Sequence, residues 1–280
     1  MQLGDRMKEY EKQDQTGRLM PLLPAFARLD GKAFHTFTKG LDKPFDQGMC
    51  DLMRDTTKYL VQATNARIGY TQSDEITLMW YSEDSTSQIY FDGRISKMLS
   101  VLAAQCSVYF NEKLAEYLPE KYLLVSATGD YPVFDCRVWT VPTKAEATNV
   151  LLWRELDAIR NSKQSAGHKY FSHKELHQRN TQKIVEMLEK KGIIWGDYPD
   201  FFKRGTYVQR KTVKRPFTRQ EIAKLPENHH ALANPDLEVT RRDYVYVDMP
   251  PFQQIQNRVG VVFNGEKPVV NPIFVETGNV

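Results

Sequence analysis

Between Pro24 and Trp139 the hydrophobic period of the chain changes in a fixed order, and that order admits few folds. Pro24 to Asp30 reads as a strand, with Gly31 permitting a sharp exit. Asp46 predicts an N-cap for a helix running to about Thr64, in which Met49, Leu52, Met53, Leu60 and Ala63 recur mostly at three- and four-residue spacing. Ala66 to Ser73 and Glu75 to Tyr81 predict the two strands of a hairpin. Arg94 to about Leu114 predicts a second helix with Ile95, Met98, Leu99, Leu102, Cys106 and Phe110 on one stripe. Val133 to Trp139 predicts a fourth strand. Strand, helix, strand, strand, helix, strand is the split βαβ or ferredoxin-like order. The expected class is therefore α+β, an antiparallel sheet with both helices on one face. In that topology the first and third strands lie side by side at the centre.

The ends of those two central strands carry the chemistry. Asp30 closes one apolar run and the Asp74–Glu75 pair sits in the hairpin turn that opens the other. Carboxylates brought together from separate strands repel unless a cation lies between them. Paired magnesium ions held this way serve the transfer of nucleotidyl and phosphoryl groups. Gly31 after Asp30 lets backbone groups approach an ion and a triphosphate. Asp-Gly also opens ordinary turns, and Ser73-Asp74-Glu75 also fits an exposed hairpin tip. The apolar flanks, Gly69-Tyr70 and Ile76 to Trp80, argue against a generally solvated stretch. Glu75 is expected to point away from Asp74 along the strand, which makes Asp74 the better ligand.

Charge says more by position than by sum. The net charge of +3 is small, but basic residues gather between Arg160 and Arg219. A one-sided basic surface suits phosphates, although charge-rich stretches are commonly just solvated faces. Lys43, Arg94, Lys97 and Arg137 stand near element boundaries, where they can clamp phosphates. Cys50, Cys106 and Cys136 are far apart and read as reduced packing residues. His173 and His177 are four apart on a predicted helix, but no third zinc ligand accompanies them. There is no Walker-type glycine loop, no Gly-x-Ser-x-Gly elbow and no paired Cys-x-x-Cys. No apolar run approaches a membrane span, and Met1 to Arg6 lacks a secretory apolar region, so the expected location is cytoplasmic.

Beyond the strand–helix unit, Thr143 with Glu146 predicts a capping box for a helix through Trp153, Arg154 and Asp157. A further helix is expected from about Ser172 to Lys191, ended by Gly192. The stretch from Phe217 to Val280 is rich in proline and shows one clear strand signal at Tyr244 to Val247. Its sequence leaves open whether it packs on the core, a partner subunit or RNA. The expected division is a catalytic part over 1–140, a helical basic part of the same unit over 141–215, and an extension over 216–280.

Short segments along the chain then match one family in order. Arg28-Leu29-Asp30-Gly31-Lys32-Ala33-Phe34-His35 resembles Arg-(Ile/Leu)-Asp-Gly-x-x-Phe-His of the tRNA(His) guanylyltransferase superfamily. Lys43-Pro44-Phe45-Asp46 is similar to its Lys-Pro-x-Asp, and Tyr70 to Glu75 to Tyr-Gly-Gln-Ser-Asp-Glu. Arg94-Ile95-Ser96-Lys97 resembles Arg-x-Ser-Lys, and Phe134 to Val138 resembles Phe-Asp-x-Arg-Val. Trp153 to Asp157 is similar to Trp-Arg-x-x-Asp, and Phe202 to Thr206 to (Phe/Tyr)-Arg-Lys-Gly-Thr. The resemblance implies a polymerase-palm-like domain, usually a homotetramer, that adds nucleotides to the 5′ end of tRNA. It implies two Mg2+ ions on Asp30, Asp74 and the Gly31 carbonyl, with Glu75 as a second hairpin acid among the catalytic residues. It implies nucleotide contacts, for ATP, GTP or other NTPs, from Asp30, Gly31, Lys32, Ala33, Phe34, His35, Lys43, Asp46, Ser73, Asp74, Arg94, Ser96 and Lys97. RNA contacts are expected from Arg137, Arg154, Asn161, Lys203 and Arg204.

One departure points to the substrate. Members that mark tRNA(His) carry His-Ile-Asn-Asn-Leu-Tyr-Asn where this chain reads Ile159-Arg160-Asn161-Ser162-Lys163-Gln164-Ser165. Only the first Asn is kept. The resemblance is thus to the Thg-like branch, which favours templated 3′-to-5′ repair of truncated tRNA. The alternatives are guanosine addition to tRNA(His), a non-catalytic RNA-binding palm, and a palm-type nucleotide cyclase.

Overall fold

Alternation along the first strand sorts its side chains between two cores. In the computed structural model, which describes residues 17–84, 87–234 and 236–271, strand β1 spans Ala25–Gly31. Ala25, Ala27 and Leu29 enter one buried cluster and Phe26 enters the other. A strand that is apolar on both faces belongs at the middle of a covered sheet. That is where β1 lies. It pairs antiparallel with β3 (Glu75–Trp80) on one side and β4 (Phe134–Thr140) on the other. With β2 (Ile68–Gln72), β5 (Thr206–Pro216) and β6 (Glu238–Val247), the sheet has six strands in the order β4-β1-β3-β2-β5-β6.

The first core holds the two expected helices. After a short turn of helix α1 (Phe34–Phe37), helix α2 spans Gln47–Thr64 and helix α3 spans Ile95–Tyr117. Asp46 caps α2 by accepting the Met49 amide at 3.0 Å. Leu52, Met53, Leu60 and Val61 of α2, with Met98, Leu102, Cys106 and Phe110 of α3, pack on Ala27, Leu29, Ile76 and Leu78. Both helices therefore cover one face, as the strand and helix order predicts. Helix α4 (Pro119–Thr128) follows before β4.

The opposite face is covered as well, by chain whose role the sequence leaves open. Helix α5 runs from Lys144 to Tyr170, well beyond Asp157, and Thr143 caps it by accepting the Glu146 amide. Its Ala147, Leu151 and Ala158 join Phe26, Tyr70, Met79, Tyr207, Met249, Phe252, Val261 and Val262 in the second core. The segment after β6 thus packs on the core of the same chain. Within the stretch that begins at Phe217, β6 is longer than the Tyr244 to Val247 signal. β5, which sequence patterning does not single out, links it to the sheet.

The single helix expected over 172–191 is two. Helix α6 (His173–Leu176) stops where Gln178 takes a φ of 56°, and Asn180 caps a new helix, α7 (Thr181–Glu189). Helix α8 (Asp200–Arg204) then leads into β5. Met1 to Arg6 and the last residues of the chain lie outside the described residues. No helix among the described residues is long and apolar enough to cross a membrane.

Candidate active site

Two turns at the same end of the central strands meet through the backbone. The β2–β3 hairpin turns at Ser73 and Asp74, with Gln72 opposite Glu75 and Ser73 at a φ of 51°. A non-glycine residue in that region is uncommon, and such positions gather at functional sites. From the neighbouring strand the Gly31 amide donates to the Asp74 carbonyl at 3.2 Å. Gly31 has a steric reason to be glycine: a Cβ there would stand 2.2 Å from the Phe34 ring. Phe34 is buried against Phe110 and Phe134, so the ring has little room to give way.

Asp30 and Asp74 therefore stand at adjacent turns and feel one another. Burial pushes the Asp74 carboxyl up, the Ser73 hydroxyl at 3.0 Å opposes this, and the charge of Asp30 pushes it up further. Arg137 approaches Asp30 at 3.9 Å and Asp135 at 3.9 Å, too far for short ion pairs. Hard oxygen donors in a mutually repelling pair fit Mg2+, which binds through one or two carboxylates and completes its shell with water and substrate phosphates. No cluster of three or more His, Cys, Asp or Glu suited to a metal occurs among the described residues.

Both acids open onto a cleft of about 660 Å³. Gly31, Ala33, Phe34, His35, Lys43, Asp46 and Ser73 line it with them, as does Asn161 from α5. Asp46 does so while capping α2. Lys32 is exposed outside the cleft lining. Arg94 and Ser96 line a separate pocket of about 190 Å³ with Gly17 and Arg18, and Lys97 lies over the Phe91 ring. Those three residues are not brought to the acids within this chain.

Glu75 points away from Asp74, as expected along the strand, and its pairing with Arg154 takes it out of the catalytic set that the resemblance implies. It is buried on the α5 side of the sheet, opposite Asp30 in register, and Arg154 holds both its oxygens at 2.7 Å. Burial pushes its carboxyl up, and the charge and hydrogen bonds of Arg154 oppose this. Arg154 also donates to Asp157 at 2.9 Å. The RNA-contact expectation is thereby corrected for Arg154, which is 5% exposed and turned onto Glu75 and Asp157. It is corrected for Arg204 too, buried between the Met249 carbonyl at 2.9 Å and Asp200 at 2.7 Å. The Lys203 ammonium is tucked onto the Gly196 carbonyl at 2.6 Å and Asp200 at 3.2 Å. Arg137 is more than half exposed beside Asp30.

His173 and His177 do not form a zinc pair: His177 follows the end of α6, and the His173 ring packs against His168 at 4.6 Å. Burial pushes the thiols of Cys50 and Cys136 up to about 12, in keeping with inert packing residues. Cleft residues that sequence reasoning misses include Gln164, Ser165 and His168. With Asn161 they recur at three- and four-residue spacing on α5, a polar stripe that the sequence does display. Phe45 and Phe201 also line the cleft without standing out in the sequence, the first at the open position of Lys-Pro-x-Asp.

An antiparallel palm-like sheet with Asp30 and Asp74 together on one cleft has the form of a nucleotide-handling enzyme. A family model for tRNAHis guanylyltransferase matches residues 4–142. A bacterial tRNA(His) guanylyltransferase (Thg1)-like protein in complex with ATP has a TM-score of 0.67 at 35% identity, covering 75% of this chain and 87% of that one. Another in complex with GTP has a TM-score of 0.67 at 27% identity, covering 90% and 94%. Uncharacterized protein R259 of Acanthamoeba polyphaga mimivirus is 31% identical over 237 residues, 79% of this chain and 81% of that protein. The chain belongs to the tRNA(His) guanylyltransferase family. Membership of a nucleotidyltransferase family displaces the non-catalytic and cyclase readings.

Proposed function

We propose that the protein is a template-dependent 3′–5′ nucleotidyltransferase that rebuilds the 5′ end of truncated tRNA. The observation that carries this reading is the Gly31 amide's bond to the Asp74 carbonyl, which sets Asp30 and Asp74 at adjacent turns on a cleft whose α5 wall keeps only Asn161 of the segment typical of tRNA(His) markers. An oxygen of the tRNA 5′-monophosphate attacks the α-phosphorus of ATP, and pyrophosphate leaves. The 3′-hydroxyl of an incoming NTP, paired to the template base, then attacks the activated 5′ phosphorus, and AMP leaves. Asp30, Asp74 and the Gly31 carbonyl would hold two Mg2+ ions, which when bound lower the hydroxyl pKa and offset charge on phosphorus oxygens. Lys43 lines the cleft as a point donor to phosphate, and Arg137 stands beside Asp30 where an RNA terminus would enter. Exposed basic residues between Arg160 and Arg219 would follow the RNA backbone. A tetrameric assembly and a cytoplasmic location belong to the same proposal.

The second reading is guanosine addition to tRNA(His), which Asn161 favours by lining the cleft at the one kept position of the altered segment. The two separate in one assay. The protein is incubated with ATP, each NTP, and 5′-truncated tRNAs whose opposing base is varied, and product length is read. Addition that follows the template base supports repair. Addition of guanosine whatever the opposing base, and to intact tRNA(His) alone, overturns it.

A further inference from the structure

The cleft has a second character that the acids do not explain. Phe45 lies in the loop between α1 and α2, two residues after Lys43, and its ring is partly exposed and lines the cleft. It packs on Phe202 with ring centroids 4.9 Å apart and planes 33° apart. Phe201 meets it edge-on at 5.4 Å and Tyr198 at 6.2 Å. Phe201 and Phe202 line the same cleft, and the Arg54 guanidinium lies 5.8 Å from the Phe201 ring. Rings held by rings in this way present a rigid apolar surface where a solvated loop would otherwise be expected.

The lining of the cleft is thus divided by chemistry. Asp30, Asp74 and Lys43 suit phosphates and their metal ions. Phe45, Phe201 and Phe202 suit a flat π system, and the amides of Asn161 and Gln164 suit the hydrogen-bonding edge of one. We infer that Phe45, backed by Phe202, is the stacking platform for the nucleobase of the nucleoside triphosphate in this cleft. This rests on the nucleotide-transfer reading and names the base-holding residue within it. A flat ring carries no sequence code, so the platform accepts any base, as a template-directed enzyme requires.

The competing account is that Phe45 only fastens the Lys43 to Asp46 loop to α8. Leucine preserves much of that apolar packing and removes the ring. Equilibrium binding of ATP, GTP and inorganic triphosphate is measured with Mg2+ for the wild type, Phe45→Leu and Phe45→Trp, with thermal unfolding of each. Stacking predicts that Phe45→Leu weakens both ATP and GTP by about 5- to 150-fold. It also predicts inorganic triphosphate within twofold of wild type and an unfolding midpoint little changed. Phe45→Trp should bind nucleotides as the wild type does, with indole fluorescence quenched by nucleotide but not by triphosphate. Equal loss of all three ligands, or loss of none, overturns the inference. Extension of truncated tRNA is assayed in parallel, so an unstacked Phe45 in an active enzyme is distinguishable from a stacked one in a protein that extends no RNA.

Discussion

Arg154 holds both carboxylate oxygens of Glu75, each at 2.7 Å, beneath the strand that follows the Asp74 turn. Both side chains are almost wholly buried. The pair pins α5 to the hairpin and so fixes where the turn ends. Removing one partner would strand a buried charge. Arg154→Ala should cost about 3–5 kcal/mol of stability, read as a lower urea midpoint. Because Arg154 does not face solvent, a variant that stays folded should bind RNA normally at low temperature.

Asp30→Ala and Asp74→Ala should each reduce Mg2+-dependent extension by on the order of 1,000-fold or more, since each removes an anchor for charge developing at phosphorus. Their unfolding midpoints should stay near that of wild type or rise, because removing either acid relieves repulsion. Full activity in either variant would remove the metal assignment.

Gly31→Ala tests the close approach at the end of β1. Its Cβ would meet the Phe34 ring at 2.2 Å, and that ring is boxed in by Phe110 and Phe134. A loss of about 1–3 kcal/mol is expected, as for other overpacked sites. The displaced turn should also lower the extension rate more than it lowers stability would explain, measured well below the midpoint.

Glu155 gives a pH signature of folding. It accepts the Phe252 amide at 2.7 Å and the Tyr207 hydroxyl at 3.0 Å, and burial pushes its carboxyl up to about 6. The folded chain therefore holds this proton more tightly than the unfolded chain does. The stability contribution is full below the usual glutamate range and is lost as pH rises through about 6, a change of ~2 kcal/mol. Urea unfolding of wild type and Glu155→Gln from pH 4 to 8 should show the two curves diverging in that sense, the variant gaining relative stability toward pH 8.

The inner strands and helices are legible because each has one period and a buried face: Ala25, Ala27 and Leu29 alternate with Phe26, and α3 keeps one apolar stripe. β5 is hidden for the opposite reason. Arg210 to Arg215 run past the covered part of the sheet, where neither face must be apolar. Asp30 and Asp74 are readable since each interrupts an apolar run. Arg154 is not, because its partner lies 79 residues away and no local pattern distinguishes a buried cation from one meant for RNA. Phe45 is invisible in the same way: its ring becomes meaningful only beside Phe202, far along the chain.

The order β4-β1-β3-β2-β5-β6 has a consequence for synthesis on the ribosome. β2, the outer half of the hairpin that presents Asp74, takes its second partner from Thr206–Pro216. Until that stretch has left the exit tunnel, β2 is a bare edge with unpaired backbone groups, open to pairing with another nascent chain. A product cut short before β5 would carry every acidic residue of the cleft on an unfinished sheet. The order of the Asp74 turn thus depends on backbone partners that follow it by more than 130 residues in the sequence.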